Sequence, residues 1–202
     1  MAQAHFVKKA RKTIYENGKY VKRKNQKGEM VEVLDRTIPE NKKDKPLIKA
    51  GESYWWWAFR FGGKNIQKTQ PRRSQLTQSG FLSSLYDLED RMGDLKVEDY
   101  IDDPSSLSGE VDEIKSELES LRDECQERYD NMPESLQENS DSGQLLQERV
   151  DNLDEMINEL DGLDLSYDEA DEDDDEETAK EKATEWLENA ISDIQGITYN
   201  GS

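Results

Sequence analysis

His5 and Cys125 are the only histidine and cysteine in this 202-residue chain. A zinc site built from such ligands needs several of them, so one chain cannot assemble it. Cys125 occupies an apolar position of a helical repeat, where packing is the expected role. A lone cysteine also excludes an intrachain disulfide. Carboxylates are abundant, with 47 Asp/Glu, and no pair stands apart as a general acid and base. No phosphate-cradling glycine loop or dinucleotide fingerprint is present, and Gly62-Gly63 reads as a single turn. A calcium loop can be traced through Asp164, Ser166, Asp168 and Asp175. It needs glycine where Glu169 stands, and its last ligand would be Asp rather than Glu. The expectation is a binding protein, not an enzyme, with no cofactor and no metal.

Charge is where the chain is most informative. Residues 1–80 hold 19 Lys/Arg against 7 Asp/Glu, a net of +12, and residues 81–202 hold 8 against 40, a net of −32. Two modules with different partners are expected, because the sign of charge decides which surfaces attract. The hydrophobic fraction is 33% and the charged fraction 37%, too polar for one thick core. A small sheet module followed by helices that each bury a narrow stripe suits that balance. The segment Met1 to Lys9 has no apolar core like that of a signal peptide. The longest apolar run, Tyr54 to Phe59, is far short of a membrane span. A soluble cytoplasmic protein without membrane contact is expected.

In the basic module, Gly18–Arg23 and Glu29–Leu34 flank the turn cluster Asn25-Gln26-Lys27-Gly28 and predict a β-hairpin. Residues from Pro39 to Pro46 read as an exposed loop. A strand is predicted from about Tyr54 to Phe61, then the Gly62-Gly63 turn and a return strand over Lys64–Thr69. Alternation puts Trp55, Trp57, Phe59 and Phe61 on one face, expected to be core. It puts Tyr54, Trp56, Ala58 and Arg60 on the other. With Lys64, Lys68, Arg72 and Arg73 nearby, Tyr54, Trp56 and Arg60 form a candidate contact surface. Bases neutralise phosphates and rings stack on nucleobases.

The run Trp57-Ala-Phe-Arg-Phe-Gly-Gly-Lys64, followed by polar residues and a helix, resembles the β-hairpin of the small three-stranded DNA-binding domains of phage integrases. That resemblance implies a sheet that lies in a major groove. No integrase catalytic domain follows, so recombinase activity is not implied. Gly51-Glu-Ser-Tyr-Trp-Trp-Trp57, Ser74-Gln-Leu-Thr-Gln-Ser-Gly-Phe81, Met132-Pro-Glu-Ser-Leu-Gln137 and Gly143-Gln-Leu-Leu-Gln-Glu-Arg-Val150 are similar to uncharacterised phage-encoded proteins. This implies a viral origin and a workplace in the host cytoplasm, and it implies no activity.

The acidic module reads as helical. Ser79 is positioned to cap a helix with apolar residues Leu82, Leu85, Leu88 and Met92. Lys96–Ser108 reads as a polar connector containing Pro104. Val111, Ile114, Leu118, Leu121 and Cys125 then repeat at coiled-coil spacing, with Ser108 as the cap. Pro133 ends this helix or starts a short turn of another, and Asn139–Gly143 is a break. Leu146, Val150, Leu153, Ile157 and Leu160 repeat again. The two stripes predict an antiparallel helical hairpin over about 108–161. Residues 168–177 contain nine acids in ten positions and read as a solvated run. A last helix is predicted over about 178–195, with Trp186 docking it onto the hairpin.

The fold class expected is therefore α+β: a small basic β-rich module, residues 1–80, followed by an acidic, coiled-coil-like helical bundle, residues 81–202. Three readings of function follow. In the first, a phage-type inhibitor presents Glu117, Asp123, Glu124, Asp151, Asp154 and Glu155 as a nucleic-acid-like surface. Its partner is a host nucleic-acid-handling or defence protein, with the aromatic and basic residues as an anchor. In the second, residues 1–80 bind DNA or RNA through Trp56, Arg60, Lys64, Lys68, Arg72 and Arg73, and the acidic module dimerises or suppresses loose binding. In the third, the stripes at Val111–Cys125 and Leu146–Leu160 pair between chains and make a homodimer.

Overall fold

A computed structural model describes residues 1–167 and 176–201. The chain divides into two compact units at Gly80, the point where the charge changes sign. The first unit carries the strands and the second the long helices, so the α+β class holds.

In the first unit, β1 (His5–Val7), β6 (Tyr54–Ala58) and β7 (Lys64–Gln67) form an antiparallel sheet in the order β1-β6-β7. Trp56 lies opposite His5 on one side and Ile66 on the other. β6 is shorter than expected. It ends at Ala58, and residues 59–63 form the reversal, so Phe59, Arg60 and Phe61 are not strand residues. The alternation that would share them between two faces stops with the strand. Trp57 is buried as expected, but Phe61 is 90% exposed. β2 (Ile14–Tyr15) pairs with β5 (Pro46–Ile48), a short strand that starts at the last residue of the expected loop. Ile14 and Ile48 join Ala10 in a small core, against which Leu47, Tyr54 and Ile66 pack.

β3 (Gly18–Lys24) and β4 (Met30–Pro39) make the predicted hairpin. Its turn closes through the Asn25 side chain, which accepts from the backbone N–H groups of Lys27 at 2.9 Å and Glu29 at 3.0 Å. Such local acceptance by Asn is what a tight reversal needs.

The second unit opens with α1 (Gly80–Asp94), which buries Phe81, Leu85, Leu88 and Met92. The expected polar connector contains a short helix, α2 (Val97–Tyr100), and the start of α3 (Ser106–Asp130). Leu107 is fully buried. It stands four residues before Val111 and extends the apolar stripe by one turn. Ser105, not Ser108, is therefore the N-cap residue.

After Pro133 comes α4 (Glu134–Gln137), then α5 (Asp141–Asp161). The supposed break at Asn139–Gly143 is thus mostly the beginning of α5. Ser140 is its N-cap, with a hydroxyl that accepts from the Gly143 N–H at 3.0 Å. Gly143 is required for space: a Cβ there would stand 2.1 Å from the Gln137 carbonyl oxygen.

Helices α3 and α5 are antiparallel. Lys115 pairs with Asp161 at 2.8 Å and Arg122 with Asp154 at 3.1 Å, so one helix advances as the other retreats. Val111, Ile114, Leu118, Leu121 and Cys125 share one core with Val150, Leu153, Met156, Ile157 and Leu160. The stripes read as a homodimer seam are consumed within the chain.

α6 (Glu176–Gly196) packs on the same core through the fully buried Leu187 and Ile194. Trp186, expected to be the docking residue, is half-buried at the margin, tilted against Tyr167 at 5.1 Å. Gln195 donates to the Gly93 and Leu95 carbonyls at 3.2 and 3.1 Å, serving acceptors that the end of α1 leaves open. The acidic run falls largely on residues 168–175, outside the described residues, as do three of the positions of the calcium-loop reading. No helix among the described residues is long and apolar enough to cross a membrane.

Candidate nucleic-acid interface

The sheet face carrying Tyr54 and Trp56 is more closed than an open stacking platform. The His5 ring stacks on Trp56 at 4.4 Å with 20° between planes. The Lys64 ammonium sits 3.9 Å from the Trp56 ring centre, a cation–π contact. His5 belongs to β1 and Lys64 to β7, which flank β6, so the indole is hemmed from both sides. Burial lowers the pKa of the Lys64 ammonium. Tyr54 is half-buried against the Ala10, Ile14 and Ile48 core.

The remaining expected contact residues do not converge. Arg60 lies in the β6–β7 reversal with its guanidinium 5.3 Å from the Phe61 ring. Lys68 pairs with Glu52 at 3.2 Å. Hydrogen bonding from the Lys49 N–H, then from Lys68, holds the Glu52 carboxyl below its ordinary pKa. Lys68 thereby braces a turn. Arg72 precedes a 3-10 helix, Arg73–Leu76, whose first residue is Arg73. Both already have interaction partners.

A different group of bases does converge. Lys9, Arg11 and Lys12 line a cleft of about 370 Å³ with Val7, Ile14, Thr37 and Tyr54. Their segment is pinned at its centre. The Ala10 N–H donates to the Glu52 carbonyl at 2.8 Å, and the Gly51 N–H to the Ala10 carbonyl at 2.9 Å. Ala10 points into the core at 5% exposure, which turns Lys9 and Arg11 outward. Gly51 has φ 92°, a left-handed conformation that glycine adopts without strain. Lys9, Arg11 and Lys12 make no ion pair among the described residues. The cleft joins these cations to an aromatic ring, and only Tyr54 of it was expected. The missed signal is Lys8-Lys9-Ala10-Arg11-Lys12, four bases in five positions.

The acidic surface of the second unit is partly neutralised by its own cations. Arg91 reaches Glu117 at 2.5 Å, Glu110 at 2.7 Å and Glu113 at 3.6 Å. Arg122 bridges Asp123 at 2.8 Å and Asp154 at 3.1 Å. Glu124 pairs with Arg128 at 3.4 Å. Of the six expected acids, Glu117, Asp123, Glu124 and Asp154 thus have a basic partner. Asp151 accepts from Gln147 at 3.0 Å, and Glu155 is exposed. Asp151, Asp154 and Glu155 border one shallow depression on α5 with Asn158 and Glu159. Asp151, Glu155 and Glu159 follow at four-residue steps, about 6 Å apart along the axis. A second row on α6, Glu177, Glu181 and Glu185, has the same spacing and was not expected as a site.

Comparison with protein-family models, curated proteins and solved structures finds no match to this chain.

Proposed function

We propose that this chain is a nucleic-acid-binding protein that grips its ligand through the basic first unit. The observation that carries this reading is the cleft in which Lys9, Arg11 and Lys12 meet Tyr54; none of the three makes an ion pair among the described residues, and Lys12 feels the Asp35 carboxylate only at longer range. Cations that are not locked in an ion pair gain most from a phosphate chain, because binding releases the counterions condensed on it. The acidic second unit limits loose binding by repelling phosphates.

The test is mobility shift of the full chain on duplex DNA, single-stranded DNA and RNA across a salt series. Three phosphates neutralised on a duplex predict a slope of log affinity against log salt of about −2.7. The triple variant Lys9→Glu, Arg11→Glu, Lys12→Glu should flatten that slope and abolish binding at moderate salt. Absence of a shift at low salt with every ligand would overturn the reading.

A second reading rests on the α5 row Asp151, Glu155 and Glu159, which no cation neutralises among the described residues. It presents these acids to the phosphate-binding groove of another protein. The resemblance to phage-encoded proteins makes a host nucleic-acid-handling or defence protein the partner class. Exchanging the three acids for Lys separates the readings: it abolishes partner capture under the second and strengthens nucleic-acid binding under the first.

A further inference from the structure

Six of the ten most exposed large apolar side chains of the described residues lie on one element, the β3–β4 hairpin: Tyr20, Met30, Val31, Val33, Leu34 and Ile38. A soluble protein seldom concentrates apolar surface this way without a use for it. The register sorts the hairpin into two different faces. Tyr20 lies opposite Leu34, Lys22 opposite Glu32, and Lys24 opposite Met30. Those six share one face, because side chains of paired strands alternate together. Tyr20 is 67% exposed, Met30 59% and Leu34 43%. Lys22 and Lys24 make no ion pair among the described residues. On the other face Arg23 is neutralised by Asp35.

We propose that the Tyr20–Lys22–Lys24 face of this hairpin lies in the major groove of duplex nucleic acid and reads base edges. The inference rests on the nucleic-acid-binding reading above and adds to it the element and the form of the ligand. The paired length, Lys19–Lys24 against Met30–Asp35, is about 20 Å at strand rise. Two strands stand about 4.8 Å apart, and a major groove about 12 Å wide admits such a ribbon. The chemistry of the face matches what the groove displays. Lys22 and Lys24 donate to purine acceptors, Glu32 accepts from a cytosine amino group, and Met30 and Leu34 suit thymine methyls. Charge complementarity selects this occupant: residues 18–36 carry six Lys/Arg against three Asp/Glu.

The experiment uses the full chain, with Lys22→Glu/Lys24→Glu and Met30→Ser/Leu34→Ser as separate variants. Both are exposed on a ribbon, so far-UV circular dichroism should match the parent. Affinity for a mixed-sequence 20-base-pair DNA is compared with that for each of its single strands, and mass is measured by light scattering. The expected result is duplex preference and a loss of about tenfold or more for the lysine variant. The Met30/Leu34 variant should lose discrimination between duplexes of different sequence. If the parent binds but the lysine variant binds equally well, the inference fails while the nucleic-acid reading stands. Preference for single strands also overturns the groove assignment. A parent dimer that Met30→Ser/Leu34→Ser converts to a monomer assigns the face to self-association instead. No binding by the parent removes both readings together.

Discussion

Tyr199 carries its phenol into the second unit, where burial pushes its pKa up to about 12. Its N–H donates to Glu89 at 3.2 Å, and its ring meets Phe81 edge-on at 5.9 Å. Arg149 lies over the other partner in this group, 4.2 Å from the Phe81 ring centre. An unfolded tyrosine loses its proton near pH 10. The folded chain holds it longer, so the contribution is complete below about pH 10 and falls as pH climbs toward 12. Tyr199→Phe should flatten the decline of urea stability across that window and leave the pH dependence around pH 7 unchanged. An unchanged slope between pH 10 and 12 would mean that the phenol is solvated. Residue chemistry of this kind is hidden in a sequence, because it depends on which distant groups enclose the side chain. The same holds for Trp56: its face follows from alternation, but its enclosure by His5 and Lys64 follows from strand order, which local sequence does not specify.

At the level of elements, the apolar repeats are the most readable feature. Val111 to Cys125 and Val150 to Leu160 identify α3 and α5, because each helix buries a single stripe and exposes the rest. The ends are less readable, since capping competes with packing there. Leu107 is the decisive case. It is fully buried in the first turn of α3, so Leu107→Ala should cost about 3 kcal/mol in chemical denaturation. Ser140→Ala should cost about 1 kcal/mol through the lost N-cap of α5. Ser108→Ala should cost less, because Ser108 lies inside α3 and its hydroxyl bonds only the Ser105 carbonyl at 2.8 Å. Equal losses for the two serines would contradict this assignment of the caps. β1, β2 and β5 escaped detection for a different reason. They have two or three residues each, too few to display a period of two. The Lys9–Lys12 cleft depends on those short strands, and so it escaped with them.

For the molecule as a whole, the two units have very different cores. Ala10, Ile14 and Ile48 form the small cluster of the first, while the second buries a continuous core from Phe81 to Ile197. Buried apolar area is the main source of stability, so the first unit should melt first. Three of the four tryptophans, Trp55, Trp56 and Trp57, lie in that unit, while Trp186 and the helices that dominate far-UV circular dichroism lie in the other. The main part of the tryptophan fluorescence change should therefore come at a lower temperature than the change in ellipticity at 222 nm, with the Trp186 share following the helices. Coincident transitions would show instead that the units unfold as one. Under the proposed function, duplex DNA should raise only the earlier transition, because a ligand stabilises the state that binds it. The lone cysteine gives this contrast a clock. Cys125 is 1% exposed on the inner side of α3, and burial raises its thiol pKa. A disulfide reagent can reach it only during an opening of the helical core, while the first unit contains no thiol to answer. The rate at which the native chain is labelled thus times the excursions of one half of the molecule, with the other half silent.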